Sequence, residues 1–163
     1  MTCFAILLIQ AQPNQLNFHP QLLCIDNNEA CSIGDVNRDG FPDVVAGRMW
    51  YAGPDFVPRP VRPLGLHPPD YAQNNGEHLW DVDGDGWLDV IATGWGETRL
   101  QWFRNPGTEG FKKGLEWKAH TLADTKLPQG EAGFLIGAED MNMVCIGSNR
   151  AFQLGIRQPG HAT

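Results

Sequence analysis

The 163-residue sequence predicts an all-β protein built from repeated sheets, and three observations carry that reading. An acidic loop, Asp35-Val36-Asn37-Arg38-Asp39-Gly40-Phe41-Pro42-Asp43, returns 46 residues later as Asp81-Val82-Asp83-Gly84-Asp85-Gly86-Trp87-Leu88-Asp89. Each copy runs into a segment suited to a pleated, half-buried strand, Val44-Val45-Ala46 or Val90-Ile91-Ala92. Glycine (19 residues) and proline (12) are abundant, which favours short strands and turns over long helices.

Composition narrows the function classes. Hydrophobic residues at 42% exclude wholesale disorder, and the length suits one core of ordinary domain size. The formal charge of −7 comes from 19 acidic against 12 basic residues, and seven of the Asp lie in the two loops. That balance argues against a nucleic-acid partner, which needs clustered Lys and Arg. No apolar run approaches the roughly 18 residues of a membrane-spanning helix.

The start of the chain, Cys3-Phe4-Ala5-Ile6-Leu7-Leu8-Ile9 followed by Gln10-Ala11-Gln12-Pro13, reads as a signal peptide over residues 1–11, without a preceding Lys or Arg; the other reading is a buried strand. A signal implies a secreted or periplasmic protein. The cysteines, Cys3, Cys24, Cys31 and Cys145, lack the CxxC spacing of a zinc site. Cys24 and Cys31 either pair in an oxidising compartment or stand as two buried thiols.

Taken in order, residues 19–25 predict a short outer strand closed by the turn Asp26-Asn27-Asn28. Residues 29–34 form a small-residue strand, as suits a place where neighbouring sheets approach closely. After the first loop come strands at 44–47 and 48–51, then the turn Ala52-Gly53-Pro54. Six prolines between 54 and 69 exclude a regular ladder through most of that segment and leave one edge strand near 61–64.

The pattern then restarts. Residues 77–80 enter the second loop, 90–94 leave it, and 100–103 precede the turn Asn105-Pro106-Gly107. Trp50-Tyr51 thus matches Trp102-Phe103, residues 117–122 echo 18–23, and Glu131-Ala132 echoes Glu29-Ala30. A unit of roughly 40–50 residues made of short strands is the signature of a propeller blade. Residues 12–115 hold two four-stranded blades, and 116–163 an incomplete third with an irregular tail. After Leu135 the expected third acidic loop is missing, and residues 136–163 resemble nothing before them.

The loops have the chemistry of a calcium site. Ca²⁺ takes six to eight oxygens, and side chains at alternate positions of a tight loop can converge to supply them. Asp35, Asn37 and Asp39, or Asp81, Asp83 and Asp85, fill the first three positions. Gly40 and Gly86 permit the reversal, the carbonyls of Phe41 and Trp87 follow, and Asp43 and Asp89 close the shell. An EF-hand is rejected, since its twelfth position needs Glu and holds Ala46 or Ala92 here. The second loop, with four carboxylates against three plus Asn37, should bind more tightly, at about 10⁻⁴ M as extracellular modules do.

The motifs DVNRDGFPDVV at 35–45 and DVDGDGWLDVI at 81–91 resemble FG-GAP or VCBS repeats, which build the β-propeller heads of integrin α subunits and many secreted bacterial proteins. The resemblance covers about residues 18–135. It implies a loop joining the first and second strands of each blade, and two structural Ca²⁺ ions. It also implies a need for further blades, from a longer chain or another subunit, because two blades and an incomplete third cannot close a ring.

Three functions stay open on the sequence. One is a secreted module that binds proteins or glycans, with Trp50 and Trp102 assigned to the core rather than to sugar stacking. A second is the propeller of a carbohydrate-active lyase or dehydratase, with Glu77, His78, Glu29 or Glu131 lining a channel. The third is an inactive fragment.

Overall fold

A computed structural model describes residues 19–67, 71–74, 76–94, 97–124, 133–138, 141–148 and 151–156. The segment expected to be a signal peptide, with Cys3, and also Glu131 and the last seven residues lie outside them. Thirteen short strands and one helix are found among the described residues, so the all-β expectation holds.

The first sheet is a four-stranded antiparallel meander of β1 (Ser32–Gly34), β2 (Asp43–Ala46), β3 (Met49–Ala52) and β4 (Val57–Pro60). A hairpin of β5 (Leu66–His67) and β6 (Tyr71–Ala72) follows. The second meander contains β7 (Gly76–Trp80), β8 (Asp89–Thr93), β9 (Arg99–Arg104) and, after helix α1 (Gly107–Lys113), β10 (Lys118–Asp124). A third sheet holds β11 (Gly133–Ala138), β12 (Met141–Ser148) and β13 (Ala151–Ile156). Regular strands thus continue past Leu135, through a stretch that resembles no earlier part of the sequence.

The strand registers show how the first two sheets stack. Val45 pairs with Trp50, and Ile91, the equivalent of Val45, pairs with Trp102. Yet Val45 and Trp50 pack on Val90, Ala92 and Phe103 of the second sheet, not on Ile91 and Trp102. Non-equivalent faces therefore stack head to tail, one face of the first sheet against the opposite face of the second. Ile91 and Leu100 build a separate cluster with Trp80 and Val82 on the far face. Every residue of β8 is buried, which explains its unbroken apolar run.

The crowding expected around β1 is present. A Cβ on Gly34 would stand 2.9 Å from the side-chain ends of Leu79 and Leu88, so any larger residue there requires those two leucines to shift.

Four local expectations are corrected. Residues 19–25 form no strand: Leu22 is 77% exposed and Ile25 91%, and they pair with no strand among the described residues. Their repeat counterpart β10 is ordered by pairing with β9. The edge strand falls at β4 rather than at 61–64. Pro58 and Pro60 share one parity, so their missing N–H groups lie on the edge turned away from β3, where they cost nothing and block edge pairing.

Helix α1 replaces the simple turn expected at 105–107. Its glycines, Gly107 and Gly110, hide it from propensity reasoning, but Gly114 at φ 61° ends it with paired bonds, Leu115 N–H to Gly110 O and Gly114 N–H to Phe111 O. The helix delivers Phe111 to Trp50 (5.0 Å between ring centroids), Trp87 (6.0 Å) and Trp117 (6.1 Å). Finally, Cys24 and Cys31 are free thiols and both are exposed, so neither the disulfide nor the buried pair is found.

Candidate metal centre

Both acidic loops join the first strand of a sheet to the second, β1 to β2 and β7 to β8. Their backbones repeat: Gly40 and Gly86 both have φ 88°, and the fourth loop position is left-handed in each copy, Arg38 at 61° and Gly84 at 76°. The left-handed region strains a side chain, so the second loop carries the better residue there.

Hydrogen bonds repeat as well. Asp35 accepts from the N–H groups of Asp39 (3.0 Å) and Gly40 (2.9 Å), and Asp81 from those of Gly84 (2.8 Å) and Gly86 (3.0 Å). Phe41 N–H donates to Asp39, and Trp87 N–H to Asp85, both at 2.9 Å. The last acid of each loop is buried and ties the loop to the end of the third strand. Asp43 accepts from Val36 N–H (2.8 Å) and Gly53 N–H (2.8 Å), and Asp89 from Val82 N–H (3.1 Å) and Asn105 N–H (2.7 Å). These acids staple each hairpin whether or not an ion is bound.

Burial raises the pKa of both. Desolvation outweighs the N–H donors at Asp43, and it pushes Asp89 up to about 6. The Trp102 indole lies near Asp89 and favours its charge, but its N–H falls short of a hydrogen bond and stays buried without a partner. Trp102 is thus half-buried on the far face, stacked on His120 at 4.6 Å, whereas Trp50 is 1% exposed in the core as expected.

In the second loop the structure gathers Asp81, Asp83 and Asp89, each with an oxygen within 4.8 Å of the others, so a single metal ion can be held there. Asp85 is drawn aside: Arg104 binds Asp83 through Nε (2.8 Å) and Asp85 through its terminal nitrogen (3.1 Å). The guanidinium stands in for a cation at the loop mouth, and its proton is held more firmly by Asp85 and then Asp83. Three carboxylate oxygens are hard donors, the kind that hard metal cations take.

Asp35, Asn37, Asp39 and Asp43 of the first loop are not gathered in this way among the described residues. Asn37 Nδ2–H instead donates to Asp39 at 2.8 Å. Phe41 is 49% exposed, while Trp87 lies half-buried under the Arg38 guanidinium, 5.3 Å from the ring centroid.

Sequence reasoning missed the residue that joins the two loops. Asn105 Nδ2 donates to Val36 O of the first loop (3.0 Å) and to Leu88 O of the second (2.9 Å), while its Oδ1 accepts from Gly107 N–H (2.9 Å). The turn signal at 105–107 marked the position without its partners.

Glu77 belongs to neither a channel nor the metal site. It is sealed in an ion pair with Arg62 (3.2 Å; side-chain exposures 0% and 4%), and also accepts from Gly47 N–H at 2.9 Å and from Asn74 Nδ2 at 3.3 Å. Burial pushes the Glu77 pKa up and the Arg62 pKa down, each opposed by the partner charge. His78 is half-buried and Glu29 exposed.

No family model and no solved structure matches the chain. Among curated proteins it is similar to a glutamate-1-semialdehyde 2,1-aminomutase of Desulforamulus reducens, with 32% identity over 108 residues. The match takes in 63% of this chain and 24% of that protein, so the chain spans about a quarter of the relative's length.

Proposed function

We propose that the chain is a calcium-stapled β-propeller repeat module of the FG-GAP or VCBS kind, part of a secreted protein, that presents its loops to protein or glycan ligands. The observation that carries this reading is the duplicated loop, with the same left-handed positions and most of its hydrogen bonds shared, set between the first two strands of each four-stranded sheet. Head-to-tail stacking of non-equivalent faces supports it, since a heterologous contact repeated around an axis generates a ring. The far-face cluster around Ile91 and the 70% exposed Ile33 are then surfaces for neighbouring blades.

The enzyme alternative is weakened because Glu77, its best acid, is buried and paired. The aminomutase name of the curated relative is not carried over, as only 24% of that protein is matched.

Isothermal titration tests the reading on Asp83→Ala and Asp39→Ala variants of the chain. Calcium should bind at two sites, the tighter lost in Asp83→Ala. A larger loss from Asp39→Ala, or no heat of binding in the unsubstituted chain, contradicts it.

A further inference from the structure

The molecule has a strand without a sheet and a sheet short of a strand. The first two sheets have four strands each, whereas the third, β11-β12-β13, has three among the described residues, so β13 keeps an unpaired edge. At the other end of the molecule, residues 19–23 are exposed or half-buried and pair with no strand among the described residues. Their repeat counterpart is β10, the outer strand of the second sheet, and β10 leads into β11 as residues 18–23 lead into β1.

We propose that residues 19–23 of one copy add to β13 of a second copy as its missing outer strand, and that two copies exchange these strands to close a ring. The proposal rests on the blade reading above. The order of the sheets rules out the same exchange within one chain: β7 lies against both β1 and β11, so the spare strand sits at the far end from β13. Three blades are also fewer than the four of the smallest propellers, while two copies bring six sheets, inside the usual range of four to eight. Swapping an identical element between copies is a low-cost route to a dimer.

The repeat also provides a seat for the incoming sheet. In the second sheet, Val90, Ala92 and Phe103 receive Val45 and Trp50 of the first. Their equivalents in the first sheet are Val44, Ala46 and Tyr51, with Ile33 opposite Val44 and Met49 opposite Ala46 in register. Ile33 is 70% and Met49 36% exposed, so this face is open. The spare strand leaves from beside it: Cys24 meets the Tyr51 hydroxyl, Asp26 pairs with Arg48 at 3.2 Å, and Asn27 O accepts from Ala72 N–H at 3.4 Å, which anchors residues 24–27 there.

Proline fixes which side of the strand pairs. An outer strand turns every second N–H to solvent, so Pro20 fits with its missing N–H outward, as Pro58 and Pro60 do in β4. Gln21 and Leu23 then donate to β13, and Leu22 N–H faces out.

Light scattering after size exclusion of the whole chain should give twice the chain mass, in reductant so that exposed Cys24 and Cys31 cannot link copies. Leu23→Pro removes an inward N–H from both exchanged strands and should weaken the pair by about tenfold or more. Leu22→Pro removes only an outward N–H and should leave the affinity within about threefold. A synthetic peptide of residues 17–25 in excess should convert the unsubstituted pair to monomers, a readout that needs no variant to fold.

A monomer at all concentrations, a series of ever larger species, a pair indifferent to Leu23→Pro, or one weakened equally by the two prolines overturns the proposal. If the chain is monomeric and its melting temperature still rises in calcium, the exchange fails and the blade reading stands. A pair that Leu23→Pro selectively splits, without any calcium effect, keeps the exchange and removes the calcium reading.

Discussion

Replacing Asn105 by alanine should be among the most damaging single changes in this chain, although the Asn105 side chain touches no expected ligand atom. The side chain is 5% exposed and makes three hydrogen bonds, to Val36 O, Leu88 O and Gly107 N–H. Its own N–H to Asp89 belongs to the backbone and survives the change. Each buried group left unpaired costs about 1–3 kcal/mol, and water entering the small void recovers part of that, so the net loss should be about 3 kcal/mol. A chain of this size has roughly 5–15 kcal/mol in total, and a loss of that order lowers the melting temperature by about 6–12 °C. Thermal melting by circular dichroism with excess chelator measures it. Asn105→Asp keeps the acceptor for Gly107 but turns a carboxylate toward two carbonyls, so it should melt no higher than the alanine variant. A shift of less than about 0.5 kcal/mol in Asn105→Ala, the size of an ordinary surface change, would refute the reasoning that Asn105 clamps both loops.

Two further outcomes follow from the buried acids. Glu77→Gln leaves Arg62 without a counter-charge in the interior, held only by neutral Gly47 O and Asn74 Oδ1, and should cost about 3–5 kcal/mol in urea unfolding, whereas replacing both residues by Met should recover much of the loss. Asp89, at about 6 against an ordinary 3.8, gives the metal-free protein stability that is full below about pH 4 and lost as pH rises through about 6, because the folded state holds the proton longer. Calcium needs the charged form, so its affinity should fall as pH drops below about 6. In chelator, the melting temperature of Asp89→Asn should depend less on pH across this window than that of the unsubstituted chain; an identical dependence removes the assignment.

The parts legible in the sequence were those that repeat. Asp-Gly alternation located both loops, and the β-branched segments after them located β2 and β8, because local backbone demands and apolar pattern agree there. The small residues before the first loop announced the close approach that Gly34 makes to Leu79 and Leu88. What escaped depends on partners distant in sequence. Helix α1 exists because Phe111 fills a gap between Trp50, Trp87 and Trp117, and tertiary packing overrides two glycines.

Residues 19–25 carry a strand's composition yet pair with no strand among the described residues, since a strand needs a neighbour as well as a sequence. The first loop reads almost like the second, but Asn37 donates where an acid would accept, and only the second loop gathers three carboxylates. Arg104 approaches that loop from 15 residues beyond Asp89, at a distance that no local motif reports.

The measurement that bears most directly on the account is the melting temperature of the chain in calcium and in chelator, alongside Asp81→Asn. Asp81 belongs to the three-acid cluster and shapes the loop through two N–H bonds. At about 100 times the dissociation constant, calcium should add about 2.7 kcal/mol and raise the midpoint by about 5–10 °C, with most of that rise absent in the variant. A midpoint that calcium leaves unmoved in the unsubstituted chain, or a rise fully retained in Asp81→Asn, contradicts a calcium staple at the second loop.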